Sequence, residues 1–269
     1  MALLAVGCAS TPPPMLAPLP GGLAETHARS RPATMDANVR NAPHVYQFID
    51  PQREIVYFQT FGGGGATLGV ALGPLGVLAN MGMIESATKE DMKLLAGKVA
   101  LQPGVLFAEA AQAAGVAREA SPAVGKARLA PYLYVSKTES GSLILASALE
   151  AGAEVDSKPW RGVYMVQLAT TYTVAGLSAL RAADLDRLRD EVRDGYAQIL
   201  KLLRSDSAAR IAQERSVLYE SRFLMPRFSY EAHGSLVEDA GDLVWIRNPG
   251  GVYGLRKGAS LSLKFPPGK

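Results

Sequence analysis

The sequence contains few of the side chains that build metal, redox or nucleophilic sites. Of its 269 residues, one is cysteine, three are histidine and two are tryptophan. A single cysteine cannot form an intramolecular disulfide, so the fold is not cross-linked. The motifs HExxH, CxxC and GxSxG do not occur, and no histidines or cysteines have metal-ligand spacing. We therefore expect no metal, no cofactor and no catalytic residue that a local motif would identify.

The chain also lacks a strong excess of charge of either sign. Lysine and arginine total 28 against 25 acidic residues, a net charge of +3, which is too balanced for a nucleic-acid-binding protein. The small excess lies after Asp242, where no acid follows. We interpret these basic residues as a solvated rim, and attraction to an anionic membrane surface is the alternative. They are Arg247, Arg256, Lys257, Lys264 and Lys269.

Charged residues are missing entirely from residues 55–84, which are rich in glycine. No GxGxxG occurs there. Gly64 and Gly69 have the P-loop separation, but Val70 and Ala71 stand where lysine and serine or threonine are needed. We therefore expect no bound nucleotide.

The same segment is long enough to cross a bilayer core as a helix, which takes about 20 residues. Pro74 interrupts it, and four consecutive glycines begin at Gly62. Two interpretations remain open: an apolar segment covered by protein or by a partner, and a membrane-dipping or oligomerising glycine zipper. The predicted contact residues are the glycines spaced four apart and the leucines near them, namely Gly65, Gly69, Gly73, Leu68, Leu72 and Leu75.

The lone cysteine, Cys8, directly follows a short run of small and apolar residues that ends in Val6 and Gly7. This N-terminus resembles the lipobox of bacterial lipoproteins, although Ala5 stands where that family favours leucine. The resemblance implies that residues 1–7 are the end of a signal whose true start lies upstream. It also implies that Cys8 receives diacylglycerol and a further acyl chain such as palmitate. Because Ala9 is not aspartate, it points to the outer membrane, facing the periplasm. A cytosolic chain with an accidental cysteine is the alternative.

Residues 8–43 carry no helical or alternating apolar period and are rich in proline. We predict a disordered, lipidated tether that holds the body about 30 Å from its anchor. Its prolines are Pro12, Pro13, Pro14, Pro18, Pro20, Pro32 and Pro43.

Residues 44–269 are predicted to form one α+β domain. Its antiparallel sheet combines a meander with a C-terminal hairpin, and two to four helices pack on it. We expect a strand at 55–58, a hairpin at 132–145, a third strand near 163–174 and a hairpin at 243–255. Further strands are expected at 223–228 and 261–263. Helices are expected from Thr88, from Pro103, over 177–204 and over 208–216.

These features predict a binding or assembly module of the cell envelope that contacts a protein partner or a second copy of itself. We do not expect an enzyme, although a carboxylate-based envelope hydrolase is an open alternative because paired acids need no local motif. A glycine-zipper pore subunit is a third. Glu231 and His233, two apart on a predicted strand, are the best acid–base candidates, and we interpret them as a surface pair.

Overall fold

The structure is a computed structural model that describes residues 14–22, 26–28, 46–50, 54–59, 86–116, 127–226, 229–258 and 260–266. It contains more strand than helix. Eleven strands form one sheet: β1 (Thr26–Ala28), β2 (Tyr46–Asp50), β3 (Ile55–Phe58), β4 (Ala127–Lys137), β5 (Leu143–Val155), β6 (Lys158–Tyr172), β7 (Arg215–Ser221), β8 (Ala232–Ala240), β9 (Leu243–Asn248), β10 (Gly251–Arg256) and β11 (Leu261–Lys264).

Five helices are described. They are α1 (residues 86–95), α2 (Pro103–Ala113), α3 (Val174–Ser178), α4 (Ala182–Ser205) and α5 (Ala208–Ile211). The number exceeds the predicted two to four. Two of the five are single turns: α3 overlaps the predicted helix at 177–204 only in its last two residues, and α5 is shorter than the predicted 208–216 because the chain enters β7.

The sheet order is β11-β7-β8-β9-β10-β6-β5-β4-β3-β2, with β1 beside β4. The meander β4-β5-β6 and the hairpin β9-β10 are confirmed, and both are antiparallel. A two-residue turn joins β5 to β6, and its Asp156 and Ser157 both have positive φ, at 48° and 60°. Such a turn matches the natural twist of the two strands that it connects.

The prediction of a purely antiparallel sheet is wrong at three strand pairs. β1 and β3 run parallel to β4, and β10 runs parallel to β6. Each pair joins segments that are distant in the chain, so no local turn specifies its direction. The sheet is therefore mixed, with a parallel seam between β6 and β10 that joins two antiparallel blocks.

Helices α2 and α4 cover one face of the sheet. In α4 the buried positions recur every three or four residues, as predicted, and include Leu188, Val192, Tyr196, Ile199 and Leu203. α4 comes close to β5 because residue 195 is glycine: a Cβ there would lie 2.4 Å from Ser147 Oγ. Ser147 Oγ donates a hydrogen bond to the Val192 carbonyl at 2.8 Å.

The other face of the sheet is also apolar, and the segment after β7 packs on β4 there. The rings of Tyr134 and Phe223 meet edge to face at 5.6 Å, and Ser136 Oγ donates to the Phe223 carbonyl. The predicted strand at 223–228 is wrong: residues 222–226 form a turn, and the strand precedes it as β7. A second core thus lies on this face, lined by residues of β3 to β10.

The N-terminal residues differ from the expected tether where the structure describes them. Residues 14–22 pack on the helix-covered face of the sheet, and residues 26–28 form β1. Leu16 and Leu19 are only 6% and 5% exposed. We call residues 14–22 the strap. Burial of each leucine stabilises the docked strap by about 1.5–3 kcal/mol.

None of the described helices is both long enough and apolar enough to cross a membrane.

Candidate functional site

Most of the predicted contact residues lie outside the described residues. This applies to Cys8, Gly65, Gly69, Gly73, Leu68, Leu72 and Leu75. Glu231 and His233 are described, but Glu231 forms an ion pair with Lys264, and His233 is exposed on β8 opposite Leu218. The structure therefore gives Glu231 a structural role on the sheet surface.

Residues that precede and follow the segment 60–85 form one buried polar cluster. Thr88 Oγ1 donates to Gln59 Oε1 at 3.2 Å, and Tyr57 Oη donates to Asp91 Oδ2 at 2.5 Å. Lys137 Nζ pairs with the same Asp91 oxygen at 2.6 Å. A single bilayer crossing would separate its two ends by about 30 Å. The hydrogen bond between Gln59 and Thr88 places these two flanking residues much closer together than that.

The strap is held by a buried cluster of three charges. Arg247, on β9, is fully buried and donates to the carbonyl of Leu16 at 3.1 Å. Its guanidinium also contacts Asp206 at 2.5 Å and Glu214 at 3.0 Å, and these two carboxylates are almost fully buried. The Leu16 amide donates to the Asn248 carbonyl at 3.1 Å. We call Arg247, Asp206 and Glu214 the latch.

Burial and ion pairing have opposite effects on the pKa values of Glu214 and Arg247. Burial raises the pKa of Glu214, and the nearby Arg247 opposes that rise only in part. Burial by itself would lower the pKa of Arg247, but its hydrogen bonds and charge contacts with Asp206 and Glu214 raise it. Arg247 therefore stays charged and neutralises carboxylates that are sealed from solvent, so Asp206 and Glu214 have no access to a substrate.

The strap covers three alternate residues of β6, namely Trp160, Gly162 and Tyr164. Leu16 lies over Gly162, where a Cβ would come within 2.7 Å of it. Two residues away on either side, Trp160 Nε1 and Tyr164 Oη are buried and lack a hydrogen-bond partner among the described residues. Burial raises the pKa of Tyr164, so its hydroxyl stays neutral. Leu16 thus fills the one place in this row where glycine leaves room.

On the opposite face, the same end of the sheet opens into a cleft of about 280 Å³. Arg128 of β4 and Arg161 of β6 both lie directly opposite Gly152 of the intervening strand β5. Residues opposite one another on paired strands point to the same face, so the two arginines flank a gap. A Cβ at Gly152 would meet nothing within 4 Å. We call this the arginine cleft.

The arginine cleft also contains acidic groups. Glu150 and Glu154 stand two residues from Gly152 on either side, and both line the cleft. Glu150 is buried and forms its floor, whereas Glu154 is exposed at its rim. Alternation along β5 places both carboxylates on the face that carries the two arginines. The cleft therefore combines two cations and two anions around an open centre.

A larger groove, of about 640 Å³, lies between α2 and α4. Its charged groups are engaged with one another: Arg189 pairs with Asp186, and Arg193 pairs with Asp190 and approaches Glu109 at 4.0 Å. These are exposed pairs, most of them at helical spacing, and they are typical of a solvated helix surface. We therefore regard the arginine cleft as the better candidate site.

Neither the latch nor the arginine cleft was predicted from the sequence. Arg247 gave one signal, since it is a charge inside an otherwise apolar strand, LVWIR. The cleft gave none, because Arg128, Gly152 and Arg161 are brought together only by the register of three strands. In the described part of the chain, no three histidine, cysteine or acidic residues are grouped so that they could hold a metal ion.

Comparison with known proteins gives no relative: no family model, no curated protein and no solved structure matches this chain at a significant level.

Proposed function

We propose that this chain is a lipoprotein of the outer membrane, anchored through Cys8, whose body is a binding module facing the periplasm. The lipobox-like residues before Cys8 support the anchor. The thiol sulfur forms a thioether to the glyceryl carbon of a diacylglyceryl phospholipid. The carbon–oxygen bond to the phosphate headgroup breaks, and the thiol proton leaves with that headgroup.

The single observation that carries the proposal is the docked strap. Leu16 is eight residues after Cys8, and eight extended residues span at most about 29 Å. Since the latch and the Leu16 side chain hold the strap on the sheet, a lipid on Cys8 would keep the body close to the membrane. A module held at this distance is suited to ligands or partners at the membrane surface.

The experiment is metabolic labelling of the full-length protein with radioactive palmitate, together with fractionation of the envelope. We expect label and outer-membrane recovery for the natural chain and for the control variant Ser10→Ala. Cys8→Ser should lose both. Equal labelling of Cys8→Ser, or recovery of the natural chain from the cytosol with a free thiol, would reject the proposal.

We further propose that the apolar segment at 55–84 supplies the contact with a protein partner or a second copy of the chain. The contact between Gln59 and Thr88 supports this over a single membrane span, because it brings the two ends of the segment together. Photo-crosslinking in cells from Leu68, Leu72 and Leu75 should capture one defined partner. Crosslinks to lipid alone would favour the membrane-dipping interpretation instead.

A further inference from the structure

The arrangement of the two arginines in the cleft fits a tetrahedral anion. Neighbouring strands lie about 4.8 Å apart, so Arg128 and Arg161, separated by one strand, are about 10 Å apart at their backbones. Each guanidinium is a planar fork of donors that matches phosphate oxygens in pairs. The missing side chain at Gly152 leaves the space between the two forks open.

Neither arginine has an ion-pair partner among the described residues. Several other arginines do: Arg210 pairs with Glu238, and Arg247 is shared by two carboxylates. Arg128 and Arg161 are both exposed and lie on the same face of the sheet, on opposite sides of the cleft. A bound anion would supply the counter-charge for both.

A simple anion does not match the whole cleft, because the exposed carboxylate of Glu154 also lines it. Inorganic phosphate would sit near this carboxylate, and a simple cation would sit near two guanidinium groups. A ligand with an anionic and a cationic end matches both sets of charges. Glu154, exposed at the rim, is positioned for an ammonium group.

We infer that the arginine cleft binds a phosphoethanolamine group, with the phosphate between Arg128 and Arg161 and the ammonium group at Glu154. Two sources could supply this group, a phospholipid headgroup and a soluble phosphoamine. The inference deepens the proposed function, on which it rests only for the choice of the headgroup as the source. The strap places the cleft near the anchor, because Leu16 contacts Gly162, the neighbour of Arg161.

The first test is calorimetric titration of the full-length Cys8→Ser chain with O-phosphoethanolamine, inorganic phosphate and ethanolamine. We expect saturable binding of O-phosphoethanolamine and affinities at least tenfold weaker for phosphate and for ethanolamine. Equal affinity for phosphate and O-phosphoethanolamine, or no binding of the latter, would overturn the inference.

Variants then assign the two ends of the ligand. Arg128→Gln and Arg161→Gln should each weaken binding of O-phosphoethanolamine by about tenfold, the usual effect of losing a charged hydrogen bond. Glu154→Gln should remove the preference for O-phosphoethanolamine over phosphate.

Gly152→Val should block the centre of the cleft, and the open space above Gly152 permits this variant to fold. The matched control is Arg222→Gln, an exposed arginine outside the cleft. An unchanged affinity in the two arginine variants would contradict the site.

Vesicle flotation distinguishes the two sources of the group. The same Cys8→Ser chain should float with vesicles that contain phosphatidylethanolamine and not with phosphatidylcholine vesicles, and Arg161→Gln should abolish flotation. Binding of soluble O-phosphoethanolamine without flotation would support the ligand class and reject the lipid source. Because Cys8 is absent throughout, failure here leaves the palmitate experiment to judge the anchor separately.

Discussion

Arg247 is the residue on which the N-terminal part of the fold depends most. It is the partner of two buried carboxylates and of the Leu16 carbonyl at once. Replacement of one member of a buried ion cluster leaves the others uncompensated in a medium that solvates them poorly. The cost therefore depends strongly on which member is changed.

We predict that Arg247→Met lowers the free energy of unfolding by about 3–5 kcal/mol at pH 7. Glu214→Gln should change it by less than about 1 kcal/mol, because burial already raises the pKa of Glu214 and works against its charge. Urea unfolding measures both, and Arg222→Met is the exposed control. A loss in Glu214→Gln as large as that in Arg247→Met would contradict this account of the latch.

The pH dependence of Arg247→Met provides a second check. Without the guanidinium, the pKa of Glu214 rises further above its unfolded value. The folded state then binds a proton more tightly than the unfolded state, so stability is gained as the pH falls and lost as it rises through the folded pKa. We expect the destabilisation of Arg247→Met to be smaller at pH 5 than at pH 7, and a larger loss at pH 5 would have the wrong sign.

The packing of α4 on β5 requires that residue 195 has no side chain. Alanine there would favour the helix by about 1 kcal/mol, but its Cβ would collide with Ser147. We predict that Gly195→Ala is destabilising by about 1–3 kcal/mol in urea unfolding. Ser147→Gly should restore part of the loss, whereas Gly152→Ala, whose Cβ meets nothing, should be nearly neutral. A stable Gly195→Ala would show that α4 can move away from β5.

Among the elements of the fold, the strap depends on a small number of specific contacts. It has no regular secondary structure and is held on the sheet by two buried leucines, one backbone hydrogen bond to the Asn248 carbonyl and the latch. Its position should therefore respond to single substitutions that leave the sheet intact.

We predict that Leu16→Asp releases the strap. A carboxylate cannot replace the buried leucine beside Gly162, so the Leu16 position should leave the sheet. The measurement is hydrogen exchange of the residue 16 amide, which should lose the protection given by the Asn248 carbonyl. Ala17→Asp is the matched control, because Ala17 is exposed. Retained protection in Leu16→Asp would show that hydrogen bonds alone hold the strap.

The elements that could be predicted from the sequence are those with a local cause. Alternation and turn residues identified the β4-β5 and β9-β10 hairpins, and Pro103 correctly marked the start of α2. The pairs β1-β4, β3-β4 and β6-β10 could not be predicted, because each joins distant segments without a turn. The strap was also missed, since proline-rich sequence indicates an extended chain but not whether it docks. For the same reason the arginine cleft, built by register alone, was not visible.

At the scale of the whole molecule, the two ends of the β4-β5-β6 meander should differ in their distance from the membrane. The turn at Ser157 lies at the end where Leu16 contacts Gly162, and the turn at Glu139 lies at the other end. β5 has 13 residues, which span about 40 Å. That exceeds the reach of the chain from Cys8 to the strap.

We predict that a fluorophore on Ser157→Cys is quenched by quencher-bearing lipids in vesicles that carry the lipidated protein. The matched probe on Glu139→Cys should not be quenched. Once Cys8 is lipidated, the introduced cysteine is the only free thiol, so labelling is specific. Insertion of 20 glycine and serine residues after Ser10 should reduce the quenching of the Ser157 probe. Equal quenching of both probes would mean that the strap does not orient the body.

The parallel pairing of β6 with β10 also determines when the sheet can form during synthesis of the chain. β6 ends at Tyr172 and β10 begins at Gly251, so a growing chain leaves residues 163–166 of β6 without their partner strand until residues 251–254 are made. A strand edge with unpaired backbone groups is a template for association with other chains. Chaperone protection during synthesis should therefore matter more here than in a sheet built wholly from hairpins, and truncation before β10 should yield aggregates.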